Sequence, residues 1–376
     1  MPSYRDSRQA DEVRPSAALH VALLTPPGRG ALAAVGLVGP GAAACVDRFF
    51  TSRGGPVAGR GDGAVCFGRW RATTGSAGEE LVVVRHTADR IEVQCHGGEG
   101  AAAAVIGSLA EAGAEQMAWD AWLQEAGCPE IELEARTALA VAGGPKAARI
   151  LCRQLAGELD RELARIAALQ AAGDVATAMA AAQRLLAAAH VGLRLTRPWR
   201  VVAAGAVNAG KSSLVNAIAG HARSIVSAQP GTTRDLVTTR LVLDGWEVDL
   251  VDTAGLRDGD DVAGDVERAG IARAVAARGD ADLVLQVVAW DDAAGRACRP
   301  APDELLVITK GDLAGDAAEV IQQDAVVTSA VTGVGLDSLV ARIMERLVPE
   351  ERDAPALFAG AVPFTERQVR SIRGIA

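Results

Sequence analysis

The sequence predicts three regions: a parallel α/β domain over residues 198–348, an α-helical domain before it, and a small α+β domain at the start. The first prediction follows from apolar strands that alternate with helical stretches after Trp199. The second follows from helical periodicity between about 130 and 196, and the third from short apolar runs between Gly- and Pro-rich turns. At 376 residues the chain is long enough for two or three hydrophobic cores.

The α+β region is predicted over residues 19–115, after a polar tail at residues 1–18. Its strands are expected where apolar residues cluster between turn residues. These runs are His20–Leu24, Leu81–Arg85 and Ile91–Cys95.

The helical region is predicted over residues 116–197. Leucine and isoleucine recur every three or four residues from Ile150 to Leu169, while arginine and glutamate fill the opposite face. Gly173–Asp174 ends this helix, and a second helix is expected from about 175 to 193, antiparallel to the first. Residues 349–376 turn polar, with a further helix expected after Phe364.

The composition disfavours several classes of protein. Six cysteines without a CxxC pair argue for reduced thiols in a cytoplasm and against a disulfide framework or structural zinc. The net charge of −9 repels nucleic acid, so DNA is not expected as a partner and RNA would need a local basic patch or a basic partner protein. The sequence contains no uncharged apolar run of about 18 residues, the length that a membrane-spanning helix needs. The first residues lack the apolar core of a signal peptide.

A phosphate-binding loop is predicted at GAVNAGKS, residues Gly205–Ser212, between the strand Trp199–Ala204 and a helical run. The glycines let backbone N–H groups curl around phosphates, the lysine reaches the β and γ oxygens, and the Ser212 hydroxyl is suited to Mg²⁺. The predicted nucleotide-binding residues of this loop are Asn208, Ala209, Gly210, Lys211, Ser212 and Ser213.

Lysine and asparagine are rare in this chain, which makes their positions informative. There are three lysines against 35 arginines, and two asparagines. Lys211, Lys310 and Asn208 nevertheless fall inside the nucleotide motifs, where a compact ammonium or a carboxamide does what arginine cannot.

Two further segments complete the predicted phosphate and Mg²⁺ site. SAQPGTTRD, at Ser227–Asp235, suits a switch loop in which a hydroxyl of Thr232 or Thr233 binds Mg²⁺ and senses the γ-phosphate. A hairpin across Asp244–Gly245 then leads to DTAG. In that motif Asp252 is expected to hold Mg²⁺ through water, and the N–H of Gly255 to point at the γ-phosphate.

The base is predicted to be guanine from TKGD, residues Thr309–Asp312, which follows an apolar strand at Val307–Ile308. The carboxylate of Asp312 can accept both the N1–H and N2–H₂ protons of guanine, and the stem of Lys310 can lie along the base. An ATPase is the disfavoured alternative, because adenine would leave that carboxylate unpaired at a cost of ~1–3 kcal/mol. VVTSA, through Ser329 and Ala330, is expected to form the next strand and a final base-contacting loop. Together these motifs predict a Ras-like P-loop G domain that hydrolyses GTP.

The water-positioning group cannot be chosen from the motifs alone. Many small GTPases have glutamine after DTAG, but Leu256 stands there in this chain. Several carboxylates follow, and the sequence does not decide among them: Asp258, Asp260, Asp261, Asp265 and Glu267.

The chain resembles the MnmE (TrmE) family of tRNA-modification GTPases. The G-domain segments that carry the resemblance are NAGKSSLVNAI, PGTTRD, DTAGLRD and VERAGIARA, and LCRQLAGEL carries it in the helical region. TPPGRGA at Thr25–Ala31 and QCHGG at Gln94–Gly98 extend it to the first region.

The resemblance implies a G domain inserted in the helical domain, and an N-terminal domain that forms a homodimer and binds a tetrahydrofolate derivative. It also implies K⁺-stimulated hydrolysis through G-domain dimerisation, with tRNA and an MnmG-like protein as the family's partners. By the resemblance, Ser212 and Thr233 bind Mg²⁺, and Glu267 positions the attacking water. The implied K⁺ ligands are Asn208, Ser227, Gln229 and Thr232.

The chain departs from the family pattern at several points. The family's C-terminal Cys-(Ile/Leu)-Gly-Lys motif is not reached, since the sequence stops at SIRGIA. Gly36 lies near the place of a folate-pairing arginine, Arg85–Arg90 replaces an acidic loop, and Gln124–Cys128 replaces a basic segment. These changes predict weak or absent folate binding. They favour a second hypothesis, in which the protein is a GTP-gated switch or scaffold that no longer modifies tRNA.

Overall fold

The computed structural model describes residues 18–26, 28, 30–72, 78–221, 237–253, 279–297, 299–301, 304–313, 325–349 and 358–375. The chain forms two compact units, Met1–Leu133 and Glu134–Ala376. Nearly all of the predicted polar tail lies outside the described residues. Within the described ranges, no helix combines the length and apolar character needed to cross a bilayer.

The first unit is built on a seven-stranded sheet in the order β3-β4-β5-β6-β2-β1-β7. Neighbouring strands are antiparallel, except that β7 runs parallel to β1. The strands are β1 (His20–Leu23), β2 (Leu32–Val38), β3 (Phe50–Ser52), β4 (Ala64–Trp70), β5 (Glu79–Thr87), β6 (Arg90–His96) and β7 (Glu115–Gln116). The helices are α1 (Ala42–Val46), α2 (Glu99–Glu111) and α3 (Trp119–Glu125).

Alternation along the strands sends side chains to two faces of this sheet. Val21 of β1 packs in the larger core with α2, whereas its neighbour Ala22 packs with Trp122 of α3. The helices α2 and α3 therefore cover opposite faces of the sheet. The three strands expected from the apolar runs are confirmed, and β5 and β6 each extend beyond them.

Four helices follow in the middle of the chain: α4 (Glu130–Val141), α5 (Pro145–Leu155), α6 (Glu158–Ala171) and α7 (Val175–Gly192). The continuous helix expected from Ile150 to Leu169 is wrong, because the chain turns at Gly157, whose φ is 86°. Apolar residues keep their spacing of three or four across this turn, so the spacing does not reveal the break. The break at Gly173–Asp174 is confirmed: the Asp174 carboxylate accepts from the Thr177 N–H at the start of α7, and α6 packs against α7.

The second sheet has the strand order β13-β12-β11-β8-β10-β9, with only β9 antiparallel to its neighbour among these strands. The strands are β8 (Trp199–Gly205), β9 (Val237–Leu243), β10 (Trp246–Asp252), β11 (Leu283–Ala289), β12 (Glu304–Thr309) and β13 (Ala325–Val327). The helices described with it are α8 (Lys211–His221), α9 (Ala293–Arg296) and α10 (Leu336–Leu347).

This sheet brings the predicted motifs to one edge. The run Val201–Ala204 is fully buried, as expected for a central parallel strand covered on both faces. The parallel strands β8, β10, β11 and β12 all end at the same edge, where ligands bind in open α/β sheets. The last predicted strand is shorter than expected, because β13 ends at Val327 and the chain then forms a turn.

A carboxylate in the helical region holds the last described helix, α11 (Glu366–Arg373), to α4. Glu134 accepts two hydrogen bonds from Arg367, at 2.9 and 2.7 Å, and one from Gln368 at 2.7 Å. Burial favours the neutral carboxyl, but these hydrogen bonds and the Arg367 charge outweigh it and lower the pKa of Glu134. The helix expected after Phe364 is thereby confirmed and anchored.

Stability of the second unit should therefore depend on the ionisation of Glu134. A depressed folded-state pKa contributes stability above the unfolded pKa of about 4.3, and this stability is lost as pH falls through the folded value. We expect Glu134→Gln to lower the free energy of unfolding at pH 7 and to flatten its decline below about pH 5. Denaturant titrations at several pH values measure this. Asp160→Asn, at an exposed position on α6, is the control; equal pH profiles for Glu134→Gln and wild type would contradict the assignment.

Candidate nucleotide-binding site

The loop between β8 and α8 curls tightly because of two glycines. A Cβ on Gly205 would collide with the carbonyl oxygen of Val287 on the neighbouring strand. Gly210 has a φ of 86°, and a Cβ there would lie 3.1 Å from the Thr309 hydroxyl. Between them, Asn208 adopts a left-handed conformation with φ of 61°, which asparagine tolerates better than most residues. The loop therefore makes the tight, glycine-dependent turn between strand and helix that a phosphate-binding loop requires.

Lys211 begins α8 and is 7% exposed, which is unusual for lysine. Its Nζ donates to the carbonyl oxygens of Gly205 at 3.1 Å and Ala206 at 2.8 Å. The ammonium thus lies over the loop itself. Ser212 and Ser213 follow it in the first turn of α8 and are both exposed. A positive charge, exposed hydroxyls and the N-terminus of an eleven-residue helix meet here, which favours phosphate.

The predicted Mg²⁺ carboxylate lies beside this loop. Asp252 is the last residue of β10, is 6% exposed, and pairs in register with Ala203 of β8. The next residue, Thr253, donates its hydroxyl hydrogen to the Ala203 carbonyl at 2.8 Å. This anchor fixes the direction in which the chain leaves β10. Sequence reasoning missed Thr253, because the contact depends on strand register.

Six of the predicted site residues lie outside the described part of the chain. They are Ser227, Gln229, Thr232, Thr233, Gly255 and Glu267.

Thr309 joins the base-binding loop to the phosphate loop. It ends β12 and is 4% exposed. Its hydroxyl lies 2.6 Å from the carbonyl oxygen of Ala209, to which it donates, and 3.3 Å from that of Val288. One hydroxyl thus connects the end of β12 to the loop that follows β8. Gly311 continues the loop, its N–H donating to Thr328 at 2.9 Å.

Asp312 is held in place by Ser329. The Ser329 hydroxyl donates to Oδ1 of Asp312 at 2.7 Å and accepts from the N–H groups of Val331 and Thr332 at 3.3 and 3.2 Å. Ser329 is 1% exposed, whereas Asp312 is exposed, so the carboxylate is oriented yet open to a ligand. Ala330 is the exposed residue after Ser329.

The second lysine of the site, Lys310, has a left-handed φ of 57°. Its Nζ lies 3.5 Å from both carboxylate oxygens of Asp291, which follows β11. Asp291 was also missed from sequence; its position just beyond the apolar run Leu283–Ala289 was the available signal. The structure therefore brings together the phosphate loop, Asp252 and the base loop at one edge of the sheet.

The Thr309 hydroxyl should matter for nucleotide affinity as well as for folding. Thr309→Val keeps the shape and leaves the Ala209 carbonyl without this donor, at a cost of about 1–3 kcal/mol in unfolding free energy. Because Ala209 belongs to the phosphate loop, we expect GDP affinity to fall about 5- to 10-fold. Thr328→Val is a matched control, since that buried hydroxyl donates to Ile308 at 3.3 Å and does not reach the loop. Equal GDP affinities for the two variants would contradict the linkage.

Comparison with known proteins places this site in a class. Residues 200–313 match the model of a family described as 50S ribosome-binding GTPase. A tRNA modification GTPase MnmE from Xanthomonas oryzae pv. oryzae (strain MAFF 311018) is 47% identical over 147 residues, which are 38% of this chain and 32% of that protein. Another protein of that name, from Azorhizobium caulinodans, is 44% identical over 153 residues, covering 41% and 33%. Among solved structures, the G domain of the T. maritima FeoB iron transporter is 27% identical and covers 40% of this chain and 99% of that one, with a TM-score of 0.29.

The second unit therefore contains a GTPase domain of the P-loop class. The matched part spans about a third of the length of the curated relatives. Over that region the resemblance to proteins named tRNA modification GTPase MnmE is confirmed at about 47% identity.

Proposed function

We propose that the chain is a GTP hydrolase of the MnmE type, which binds GTP with Mg²⁺ and hydrolyses it in a K⁺-stimulated reaction linked to G-domain dimerisation. The observation that carries this proposal is the hydroxyl bridge from Thr309 to Ala209, together with the Ser329–Asp312 hydrogen bond. These contacts support it because they hold the Asp312 carboxylate, the proposed guanine acceptor, and the loop Gly205–Ser212, the proposed phosphate-binding loop, in a defined arrangement. Lys211, Lys310 and Ala330 complete the contacts to phosphate and base.

The proposed Mg²⁺ ligands are the hydroxyls of Ser212 and Thr233, with Asp252 acting through water. Hydroxyl and carboxylate oxygens are the donors that Mg²⁺ prefers, and it keeps several waters in such sites. The exposed Ser212 at the start of α8 and the buried Asp252 at the end of β10 fit this donor set. Bound Mg²⁺ would neutralise charge on the β- and γ-phosphates.

The proposed water-positioning residue is Glu267, and Lys211 and Asn208 act at the phosphates. The Lys211 ammonium withdraws charge from the transferred phosphoryl group. Asn208 would bind K⁺ with Ser227, Gln229 and Thr232, all through oxygen atoms. When bound, K⁺ supplies a positive charge at the phosphates.

The K⁺ proposal predicts the behaviour of Asn208→Gly. Glycine readily adopts the left-handed loop conformation at this position and removes the whole side chain, including the carboxamide. We expect wild-type hydrolysis to be faster in K⁺ than in Na⁺ by about 10-fold or more, because removing one charge-stabilising group from an active site lowers the rate at least this much. Asn208→Gly should abolish the difference between the two salts. Asn216→Ala is the control, because this exposed asparagine lies on α8 beyond the loop. Equal wild-type rates in the two salts would contradict the proposal.

The proposed domain organisation has a G domain at 198–348 inserted between two parts of a helical domain, at 116–197 and 349–376. The hydrogen bonds from Arg367 and Gln368 to Glu134 support it, because they join residues from the two sides of the G domain. Residues 19–115 are proposed to form a homodimer. We place the protein in the cytoplasm, with tRNA and an MnmG-like protein as partners if the modification function is retained.

A GTP-gated switch or scaffold without folate chemistry is the second candidate, favoured by the surroundings of Gly36. A Cβ on Gly36 would lie 2.6 Å from two ring atoms of Trp122, so the indole fills the space that a side chain would need. Arg85 is also occupied, donating to the carbonyls of Val57 and Ala58 at 3.3 and 3.0 Å. Arg85 is therefore not available to pair with an acidic ligand.

Two assays separate the candidates. Titration with a reduced folate is expected to show weak or no binding. Expression in a strain that lacks its own wobble-uridine-modifying GTPase then tests tRNA modification directly. Tight folate binding with restored modification would eliminate the scaffold, whereas GTP binding without either supports it.

A further inference from the structure

The third lysine, Lys146, lies outside the nucleotide site and contacts the turn between β9 and β10. Its Nζ donates to Oδ2 of Asp244 at 2.9 Å, and its backbone N–H donates to the carbonyl of Gly245 at 3.2 Å. The turn is an Asp-Gly pair with φ of 46° and 82°, as in a type I′ hairpin. Lys146 is the second residue of α5, so the start of one helix is bound to the tip of one hairpin.

Two glycines allow this close approach. A Cβ on Gly143 would collide with the carboxylate of Glu247 on β10. A Cβ on Gly144 would lie 2.6 Å from the Gly245 carbonyl oxygen. Gly144 has φ of −132° and ψ of 150°, a conformation open to any residue, so the reason for glycine here is space and not backbone freedom.

The hairpin connects this contact to the nucleotide site. β9 and β10 pair along their whole length, from Leu243 opposite Trp246 to Val237 opposite Asp252. Arg240 reinforces the pairing through two hydrogen bonds to Asp249, at 2.8 and 3.0 Å. At about 3.3 Å per residue, some 23 Å separate Gly245 of the turn from Asp252. The backbone ladder therefore runs without interruption from the turn to Asp252.

We propose that the contact of Gly143–Lys146 with the β9–β10 turn couples the nucleotide state to the helical region, with Lys146 as a positioning residue. The inference rests on the proposed function. The far end of the hairpin carries Asp252, a proposed Mg²⁺ residue, and β9 follows the proposed switch segment 227–235. A shift of the hairpin on loss of the γ-phosphate therefore displaces its turn, and α5 is bound to that turn.

Thermodynamic linkage between the contact and the nucleotide makes the proposal measurable as a ratio of nucleotide affinities. If α5 contacts the turn differently in the two nucleotide states, breaking the contact must change the ratio of the affinities for GTP and GDP. Coupling between sites is typically 5-fold or more. A contact with a structural role only would change both affinities alike and leave their ratio unaltered.

The test uses the full chain and two independent variants. Lys146→Ala removes the ion pair, and Gly144→Ala keeps both charges but adds a methyl group against the Gly245 carbonyl. Arg165→Ala is the matched control, because it removes the ion pair with Glu162 on α6, at 2.7 Å, without touching the hairpin. The affinities for GDP and for a non-hydrolysable GTP analogue are measured by calorimetry, and amide hydrogen exchange is measured over α5 in both states.

We expect exchange in α5 of the wild type and of Arg165→Ala to differ between the two nucleotides. In Lys146→Ala and Gly144→Ala this difference should disappear, and the ratio of the two affinities should shift about 5-fold. Identical α5 exchange in both wild-type states, or an unchanged ratio in both variants, would overturn the coupling while leaving the GTPase assignment intact. A wild type that binds neither nucleotide would overturn both.

Discussion

Asp312→Asn is expected to change the preferred base from guanine to xanthine. The carboxylate of Asp312 can accept the N1–H and N2–H₂ protons of guanine, whereas an asparagine amide turns one acceptor into a donor. Xanthine has a carbonyl oxygen at C2, which that donor can meet. We expect GTP affinity to fall by about 5- to 150-fold, equivalent to about 1–3 kcal/mol, and XTP affinity to rise.

The hydrogen bond from Ser329 should keep the loop conformation unchanged when Asp312 is replaced by asparagine. The hydroxyl donates to Oδ1 of Asp312 at 2.7 Å, and an asparagine oxygen can accept the same bond. The loop conformation is therefore kept while the ligand-facing atom changes. Asp160→Asn is the control, because that exposed carboxylate lies on α6 and belongs to none of the nucleotide motifs. An Asp312→Asn protein that still preferred GTP over XTP would show that Asp312 does not contact the base.

Lys211→Arg is expected to fail as a substitute even though the charge is kept. Lys211 is 7% exposed and its ammonium donates to two loop carbonyls at 3.1 and 2.8 Å, whereas the planar guanidinium of arginine presents its N–H groups in a different, fixed geometry. Losing charge-assisted hydrogen bonds to phosphate costs about 3 kcal/mol, so GTP affinity should fall about 100-fold in both Lys211→Arg and Lys211→Ala.

A second exchange of lysine for arginine, at Lys146, tests whether the loss of GTP affinity is specific to Lys211. Lys146→Arg retains a charge that can reach Asp244 at an exposed turn, and its GTP affinity should match that of the wild type. GTP binding and hydrolysis are measured for all three proteins. Hydrolysis by Lys211→Arg at the wild-type rate would contradict the role assigned to Lys211.

The parts of the site that the sequence predicted are those in which a short segment contains all of the chemistry. The phosphate loop needs glycine and lysine at fixed spacing, and TKGD needs its carboxylate three residues beyond the strand end. Rare lysines in an arginine-rich chain made these segments stand out. Asp252 was also predicted from one short segment, because it is the last residue of an apolar strand and the first of DTAG.

The parts that the sequence did not predict depend on which strands become neighbours. The contact of Thr253 with Ala203 exists only because β10 pairs with β8, and the contact of Asp291 with Lys310 exists only because β11 pairs with β12. The helix break at Gly157 was missed for a different reason, because the apolar spacing continues through it. No local pattern contains the packing of Trp122 against Gly36.

Calorimetric titration of the full chain with GDP and with ADP, both with Mg²⁺, tests the central claim most directly. The structure places the proposed phosphate loop and the Asp312 carboxylate at one edge of the sheet, so GDP should bind and ADP should bind at least about 10-fold more weakly. Equal affinities for the two nucleotides, or no affinity for GDP, would contradict it.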